Sequence, residues 1–243
     1  MKIILSRKGF DSGSGGGPSP IVDGRPLSLP IPAGDGPSRT TYGALGLADH
    51  AAQASRGKLG GEDACHHDPM FLEDGTCLFG QCGAAQTHLE NRGVGVGDTF
   101  VFFGLFRAPG EAPHHRIFGY LRVDAITRLA DGSERDRARL AGHGHPHAIG
   151  MLAKNDVIYE GAGRTARSSP DGLRLSVPGA SPSLWAVPSW LRASGLSYHD
   201  RPERWLRGGR LQSVARGQEF VADVGRRKAP REWLDAVVAL IEA

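Results

Sequence analysis

Two adjacent apolar segments constrain the fold of this chain more than any other feature. Residues Thr99–Arg107 and Arg116–Ala125 are rich in Phe, Val, Ile and Tyr, and a loop with proline and glycine, Ala108–His115, separates them. Runs of aromatic and β-branched residues of this length are typical of strands. We therefore predict an antiparallel pair in a β-rich core. We expect the four phenylalanines of its first strand to lie mostly in the core: Phe100, Phe102, Phe103 and Phe106.

The glycine and proline content limits what can surround this pair. The chain has 35 Gly and 16 Pro among 243 residues, which indicates many turns and short elements and argues against a coiled coil or a helical bundle. Hydrophobic residues make up 40%, which is enough to bury a core. Because neither a repeat nor a linker divides the chain, we predict a single domain over residues 1–243. The predicted class is α+β, with a mixed or barrel-like sheet and a few packed helices.

Weaker patterns predict the remaining elements. Further strands are expected at Lys2–Ser6, Leu27–Ile31, Asp156–Glu160 and Leu173–Val177. Helices are expected at Thr40–Ser55, with Ser38 as its cap, at Gly83–Arg92, and at the carboxyl end, where Pro230 opens the helix. One face of that last helix carries Leu234, Val237, Val238 and Ile241. The irregular segment Pro178–Gly209 is expected to be held to the core by Trp185, Trp190 and Trp205.

Charge, hydropathy and cysteine content exclude several classes of protein. The net charge is +3, so any surface for nucleic acid must be local. We predict no membrane partner, because no apolar run approaches the roughly 18 residues of a membrane helix. The amino-terminal apolar run is too short for a secretory signal, so we expect a cytoplasmic protein. Cys65, Cys77 and Cys82 are odd in number and lack zinc-ribbon spacing, which predicts reduced thiols.

A Gly-rich segment follows the first predicted strand and is a candidate phosphate site. It combines Arg7, Lys8, Asp11 and Ser12 with the run Gly13–Gly17. Cationic side chains attract phosphate, and glycine amides allow it to approach closely. The segment matches no established phosphate-loop pattern, however, and a solvated turn explains the same residues equally well.

Two short histidine motifs are candidates for metal binding or acid–base chemistry. His66 precedes Asp68 by two residues, and His145 precedes His147 by the same spacing. In an extended segment, residues two apart face the same side, as a divalent metal or an acid–base pair would require. Histidine is also common in ordinary loops, and the sequence does not show that the two motifs meet.

Other polar and aromatic residues are candidates for contacts with a base. Gln81 and Gln86 flank the predicted start of a helix, where free amides favour an anion, although the residue types favour the plainer role of capping that helix and tying it to the sheet. A second group combines stacking faces with polar ends and could instead anchor a surface loop: Tyr198, His199, Arg204 and Trp205. Arg107 is a further candidate for binding substrate.

With these residues in view, the chain resembles the third of the nucleotide-modification-associated domain families, which occur in bacteriophage and bacterial gene neighbourhoods for DNA-base modification. The likeness runs almost end to end. It rests on SRKGFDSGSGGGPSPI, His66-His67-Asp68-Pro69, FGQCGAAQTHLENRGVGVGDTFVFFGLFR, GYLRV, HPH, NDVIY, LSYHDRPERW and LQSVARGQEF. A shorter likeness, in Gly97–Phe100 and Gly119-Tyr120, is to the pseudouridine-synthase-and-archaeosine-transglycosylase-like (PUA-like) barrels that read modified bases.

The resemblance implies a role in modifying nucleotides or DNA bases and leaves three hypotheses. In the first, the chain is an enzyme or accessory in which Asp11, His66 and Asp68 are catalytic and Arg7 and Lys8 hold phosphate. In the second, it is a non-catalytic module that reads a modified base with Trp205, Tyr198 and Gln81. In the third, it is a metal-dependent hydrolase. Nucleotide or DNA is the expected partner in the first two, alongside other proteins of a modification pathway.

Overall fold

The two apolar segments form neighbouring antiparallel strands in the middle of a large sheet. In the computed structural model, which describes residues 1–34, 36–150, 152–214 and 218–243, β6 spans Thr99–Arg107 and β7 spans His114–Arg122. Their register shifts between Phe102 and Phe103, as at a β-bulge. The first strand has its predicted bounds. The second begins two residues earlier than predicted, at His114, and ends at Arg122, because Ala125 starts a separate strand.

The other strands extend this pair into a mixed sheet. The order is β13-β1-β6-β7-β9-β5-β4, with β2, β3 and β8 attached to its sides. The bounds are β1 Lys2–Arg7, β2 Ser19–Val22, β3 Arg25–Pro26, β4 Met70–Phe71, β5 Thr76–Gln81, β8 Ala125–Arg128, β9 Val157–Thr165 and β13 Glu219–Asp223. β1 runs parallel to β6, whereas β5 and β9 are antiparallel. The sheet curls into a half-barrel, which confirms the α+β class.

Both faces of this sheet are buried, and residues alternate between them along each strand. Ile3 and Leu5 of β1 belong to one hydrophobic cluster, which also contains the fully buried Trp185. Ile4, between them, belongs to a second cluster with Phe79 of β5. This alternation follows from the two-residue period of a strand. Burial on both faces explains why the consecutive residues 100–103 of β6 are all apolar.

The helices confirm two predictions and correct a third. Their bounds are α1 Ala48–Ser55, α2 Gly83–Asn91, α3 Glu134–Gly142, α4 Pro146–Ile149, α5 Ser189–Ser194 and α6 Lys228–Glu242. α2 matches its prediction, and α6 buries the four predicted apolar residues but begins at Lys228, two residues before Pro230. α1 is much shorter than the predicted Thr40–Ser55, because Gly46 has a φ of 68° and breaks the helix. Ser38 is therefore not its cap.

Two predicted strands are wrong. Leu27–Ile31 is irregular, because the local hairpin forms earlier, between β2 and β3. Leu173 ends a 3₁₀ turn, and Ser176 makes only an isolated bridge to Trp185. In contrast, the strand predicted at Asp156–Glu160 exists and extends to Thr165 as β9.

The segment Pro178–Gly209 contributes to a second, small sheet. Its strands are β10 Leu184–Ala186, β11 Trp205–Leu206 and β12 Arg210–Gln212. Trp185 is fully buried, and Trp190 and Trp205 pack against the same cluster while partly exposed. The predicted anchoring by tryptophan is thus confirmed. Residues 215–217, part of the LQSVARGQEF string, lie outside the described residues.

Two further predictions concern membranes and thiols. No helix among the described residues combines the length and the apolar character needed to cross a bilayer. Cys65, Cys77 and Cys82 are all free thiols, the first two buried and the third half-buried. The three cysteines thus form no disulfide with one another, and their reduced state stays a prediction.

Candidate functional site

A cavity of about 390 Å³ opens where β1 and β5 end. Because β5 and β9 are antiparallel, the end of β5 lies beside the start of β9, with Gln81 opposite Val157. Polar side chains from several loops converge at this edge of the sheet. The described lining is Arg7, Lys8, Gly9, Asp11, Ser14, Ile31, His66, Asp68, Gly80, Gln81, Cys82, His147, Leu152 and Gln218.

The two histidine motifs meet at the carboxylate of Asp68. Asp68 Oδ2 lies 3.8 Å from Nε2 of His66 and 3.9 Å from Nε2 of His147. Asp68 Oδ1 lies 3.3 Å from Nε2 of His145 and accepts a 2.9 Å hydrogen bond from the amide of Gly80. All four candidates named from the sequence are thus neighbours.

The two histidine motifs lie in different kinds of backbone structure. The loop before β4 is tied down by hydrogen bonds from the His66 amide to Ile31 and from the Cys65 amide to Thr40. His145 and His147 do not lie in the extended segment that was predicted. His145 is instead the N-cap residue of α4 and His147 lies in its single turn, which Pro146 opens. The predicted extended backbone is therefore wrong for that pair, and it is the helical turn that brings both rings to Asp68.

His147 also contacts a second buried carboxylate, that of Asp156. Its Nδ1 forms a short hydrogen bond with Asp156 Oδ1, and Asp156 Oδ2 accepts a 2.7 Å hydrogen bond from the amide of Leu152. Asp156 was not among the sequence candidates. The only sign of it was its position inside the NDVIY string, directly before a buried strand.

Burial controls the protonation of this cluster. Burial lowers the pKa of His66 to about 4, although Asp68 opposes the shift. Burial by itself raises the pKa of Asp68, but the close contact with His145 and the neighbouring imidazoles outweigh it and hold that pKa well below its ordinary value. Near neutral pH, His66 is therefore uncharged and Asp68 is ionised.

The cluster offers ligand atoms at metal-binding spacing. One atom each from His66, Asp68 and His147 lie within 4.8 Å of one another. A second set with the same property, Cys82, His147 and Asp156, shares His147 with the first. Imidazole and carboxylate ligands suit divalent transition metals.

Arg7 and Lys8 line the cavity, but both also have partners within the protein. Lys8 Nζ lies 2.9 Å from Glu219 Oε1 and 4.3 Å from the ring centre of Phe79. Arg7 Nη2 donates a 2.9 Å hydrogen bond to the carbonyl of Val214. These partners therefore already engage part of the positive charge that was predicted to bind phosphate. Glu219, inside the LQSVARGQEF string, was not a sequence candidate.

The Gly-rich segment folds around Asp11. Asp11 Oδ1 accepts hydrogen bonds from the amides of Gly13 and Ser14, at 2.7 and 2.8 Å. One glycine amide proposed for phosphate, that of Gly13, and the amide of Ser14 are therefore engaged by Asp11, which itself lines the cavity. Ser12 is exposed and is absent from the described lining.

The two glutamines occupy different environments. Gln81 lines the cavity, and its Nε2 donates a 2.9 Å hydrogen bond to Glu219. Gln86 is buried, where its Oε1 accepts from Tyr159 and its Nε2 donates to Glu90. The first amide of α2, Gly83, donates to Asn155 Oδ1 and is not free for an anion. Gln86 therefore ties the helix to the sheet, which was the alternative explanation of this residue.

The remaining candidates lie away from this cavity. His199 is buried and accepts a 3.2 Å hydrogen bond from the amide of Val214, while Trp205 Nε1 donates to the carbonyl of His199. Arg204 donates to the carbonyl of Gln212. The exposed Tyr198 packs against His88, with ring centres 4.5 Å apart. None of the four occurs in the described lining.

Arg107 is also separated from the cluster. It lines another surface cavity of about 530 Å³, together with Ile21, His50 and Pro109. The structure thus assembles seven of the sequence candidates around one cavity, and His145, outside the described lining, lies 3.3 Å from Asp68. The seven are Arg7, Lys8, Asp11, His66, Asp68, Gln81 and His147.

Comparison with known proteins gives a family for this chain. The model of a family described as nucleotide modification associated domain 3 matches residues 2–223. The match covers most of the 243 residues, so the chain belongs to this family, whose description associates it with nucleotide modification. No curated protein and no solved structure shows significant similarity. The likeness to PUA-like barrels therefore stays a prediction.

Proposed function

We propose that this member of the nucleotide modification associated domain 3 family is an enzyme that modifies a nucleobase or nucleotide bound in the cavity at the ends of β1 and β5. The observation that carries the proposal is the position of His147. Its ring lies between the buried carboxylate of Asp156 and the cavity, where it joins His66 and Asp68. Supporting side chains of this kind around an imidazole are typical of catalytic sites.

The hydrogen bond to Asp156 determines which atom of His147 can act. A carboxylate at Nδ1 favours the tautomer with its proton on Nδ1. The lone pair of Nε2 then points toward Asp68 and the cavity. His147 can accept a proton from a substrate group or an attacking water at this atom. His66, which is uncharged near neutral pH because of its burial, provides a second acceptor.

The cavity suits a substrate of nucleotide size. Its volume of about 390 Å³ falls within the range of roughly 300–1,000 Å³ that is usual for small-molecule sites. Arg7 and Lys8 contribute positive charge to its wall, which favours a phosphorylated ligand even though Lys8 is partly balanced by Glu219. Gln81 adds an amide beside the cluster, and such a group can hydrogen-bond the edge of a base.

The proposal is tested by mass spectrometry of nucleosides from cells that carry the native gene neighbourhood. Deleting the gene should remove a modified nucleoside or accumulate its precursor in digested DNA or in the free nucleotide pool. Restoring the wild-type gene should recover the profile, and restoring His147→Gln should not. His67→Gln serves as a matched control, because His67 lines a neighbouring cavity and is absent from the described lining of this one.

Two results would contradict the proposal. An identical nucleoside profile with and without the gene would show that the chain makes no modification under these conditions. Full recovery by His147→Gln, with the variant protein present at normal levels, would show that the cluster is not the reactive centre. In either case, recognition of a modified base would become the favoured function. Comparing the binding of modified and unmodified DNA would then test it.

A further inference from the structure

The ligand atoms of the cluster are nearly at coordination distance. Ligands that bind zinc tetrahedrally at about 2.0–2.1 Å stand roughly 3.4 Å apart. Asp68 Oδ2 lies 3.8 Å from His66 Nε2 and 3.9 Å from His147 Nε2. Each of these two distances has to shorten by about half an ångström to reach that spacing, and the three ligand atoms already lie within 4.8 Å of one another. The other oxygen of Asp68 is held by the amide of Gly80, which turns Oδ2 toward the two imidazoles.

The surroundings of His147 match those of a metal-bound histidine. Metal-ligating imidazoles usually donate their second ring nitrogen to a carboxylate, which fixes the tautomer and strengthens the ligand. Asp156 provides this partner at Nδ1, and its own second oxygen is held by the Leu152 amide. Nothing in this arrangement has to change for Nε2 to coordinate an ion.

The electrostatics of the cluster also call for a cation. The side chains of Asp68 and Asp156 are 4% and 0% exposed. Carboxylates this deep in the interior are costly to bury unless a cation or hydrogen-bond donors offset them. Lys8, on the same cavity wall, is already paired with Glu219. A divalent ion held by His66, Asp68 and His147 contacts Asp68 directly and is linked to Asp156 through the imidazole of His147.

We infer that His66, Asp68 and His147 bind one divalent transition-metal ion, and that Asp156 positions His147 for it. Two imidazoles and one carboxylate favour zinc, iron, cobalt or manganese over calcium or magnesium, which prefer oxygen ligands alone. Because all three ligands line the cavity, the remaining coordination positions face it, as in catalytic and not in closed structural sites. The inference names an ion for the site of the proposed function and rests on that site's geometry.

Metal content tests the inference without any assay of activity. The full chain is stripped with a chelator, loaded with Co²⁺, dialysed, and measured for bound metal and for the visible absorption of coordinated cobalt. Wild type and His67→Gln should each hold one ion per chain. His66→Gln, Asp68→Asn and His147→Gln should each weaken Co²⁺ binding by at least about 100-fold, and Asp156→Asn by about 10- to 100-fold. Circular dichroism checks that each variant is folded.

Three results would overturn the inference: wild type that holds no cobalt after dialysis, His66→Gln that binds cobalt as tightly as wild type, and Cys82→Ser that loses the ion. The last would place the ion among Cys82, His147 and Asp156. His66 is the most informative ligand because its side chain is 22% exposed, so its replacement should leave the fold intact. If cobalt fails to bind but nucleoside profiles still depend on His147, the inference fails and the proposed function survives. If cobalt binds but the nucleoside profiles do not depend on His147, the inference survives and the proposed function fails.

Discussion

The imidazole of His147 packs directly on the backbone of Gly80, so closely that a Cβ atom at position 80 would overlap its ring. The same atom would come within 2.8 Å of Cε1 of His145. Gly80 also donates its amide hydrogen to Asp68. One residue of β5 thus sets the position of both histidines and of the carboxylate between them. Only glycine leaves room for this arrangement.

Gly80→Ala should therefore displace His147 and His145. We expect a loss of about 1–3 kcal/mol in the free energy of unfolding, as for other overpacked sites, together with weaker Co²⁺ binding. Urea denaturation and cobalt titration measure the two effects. Gly142→Ala is the control, because a Cβ there meets no atom within 4 Å and alanine is the better helix residue at the end of α3. Wild-type cobalt affinity in Gly80→Ala would contradict the packing argument.

Asp156→Asn should change the tautomer of His147. The asparagine oxygen is expected to remain with the amide of Leu152, which places an NH₂ group against Nδ1 of His147. The ring proton then moves to Nε2, which removes the lone pair facing the cavity. Nitrogen NMR of the imidazole reports this shift directly, and a merely structural role for Asp156 would leave the tautomer unchanged. The exposed Asp74 provides the control variant, Asp74→Asn.

His115 should make the protein less stable in acid. Burial lowers its pKa to about 3, with a contribution from the charge of Arg7, and its Nδ1 accepts a 3.0 Å hydrogen bond from Trp185. Between the ordinary pKa of about 6.5 and about 3, the unfolded chain binds a proton here that the folded chain does not. Stability therefore falls as the pH falls, by up to about 1.4 kcal/mol per pH unit from this residue.

His115→Asn should flatten that dependence. The asparagine oxygen can still accept from Trp185 and does not titrate. Between pH 7.5 and pH 5, the variant should lose about 2 kcal/mol less stability than wild type, as measured by urea denaturation at each pH. The exposed His143 supplies a comparison, since His143→Asn should follow wild type. Parallel curves for His115→Asn and wild type would show that this residue titrates normally in the folded protein.

Lys8→Met should be strongly destabilising. It leaves Glu219, whose side chain is 1% exposed, without its cation, and breaking a buried ion pair in this way costs about 3–5 kcal/mol. The double variant Lys8→Met with Glu219→Gln should recover most of the loss, because no buried charge remains. Chemical denaturation of the set gives these differences. Lys228→Met, at a highly exposed pair with Glu232, should change the midpoint little.

Thiol reactivity should distinguish the three cysteines. Cys65 and Cys77 are buried, whereas Cys82 is half-buried and lines the cavity. Burial raises the pKa of each thiol, to about 11 for Cys65, so even Cys82 should react slowly at neutral pH. A chromogenic disulfide reagent should label one thiol per native chain and three in urea. Cys82→Ser should abolish the native reaction; if it does not, one of the other two thiols is accessible.

The sequence by itself determined the elements whose patterns are local. Each of these elements buries its own side chains, so its residue types alone predict it. They are the aromatic strands β6 and β7, the short apolar strand β1 and the amphipathic helix α6. Local patterns failed where backbone geometry decided the outcome. Gly46 ended the helix predicted over Thr40–Ser55 through its positive φ, which its neighbours do not reveal.

For the site, residue types identified His66, Asp68, His145 and His147 as candidates, because few side chains can bind metal or transfer protons. Their meeting was decided only by the tertiary structure, since it requires the antiparallel pairing of β5 with β9 and the turn of α4. The same convergence added Asp156 and Glu219 and left Tyr198 and Trp205 elsewhere. Contacts between residues distant in the chain depend on the strand order and on the close approach of the two histidine rings to Gly80. No short segment of sequence reveals either.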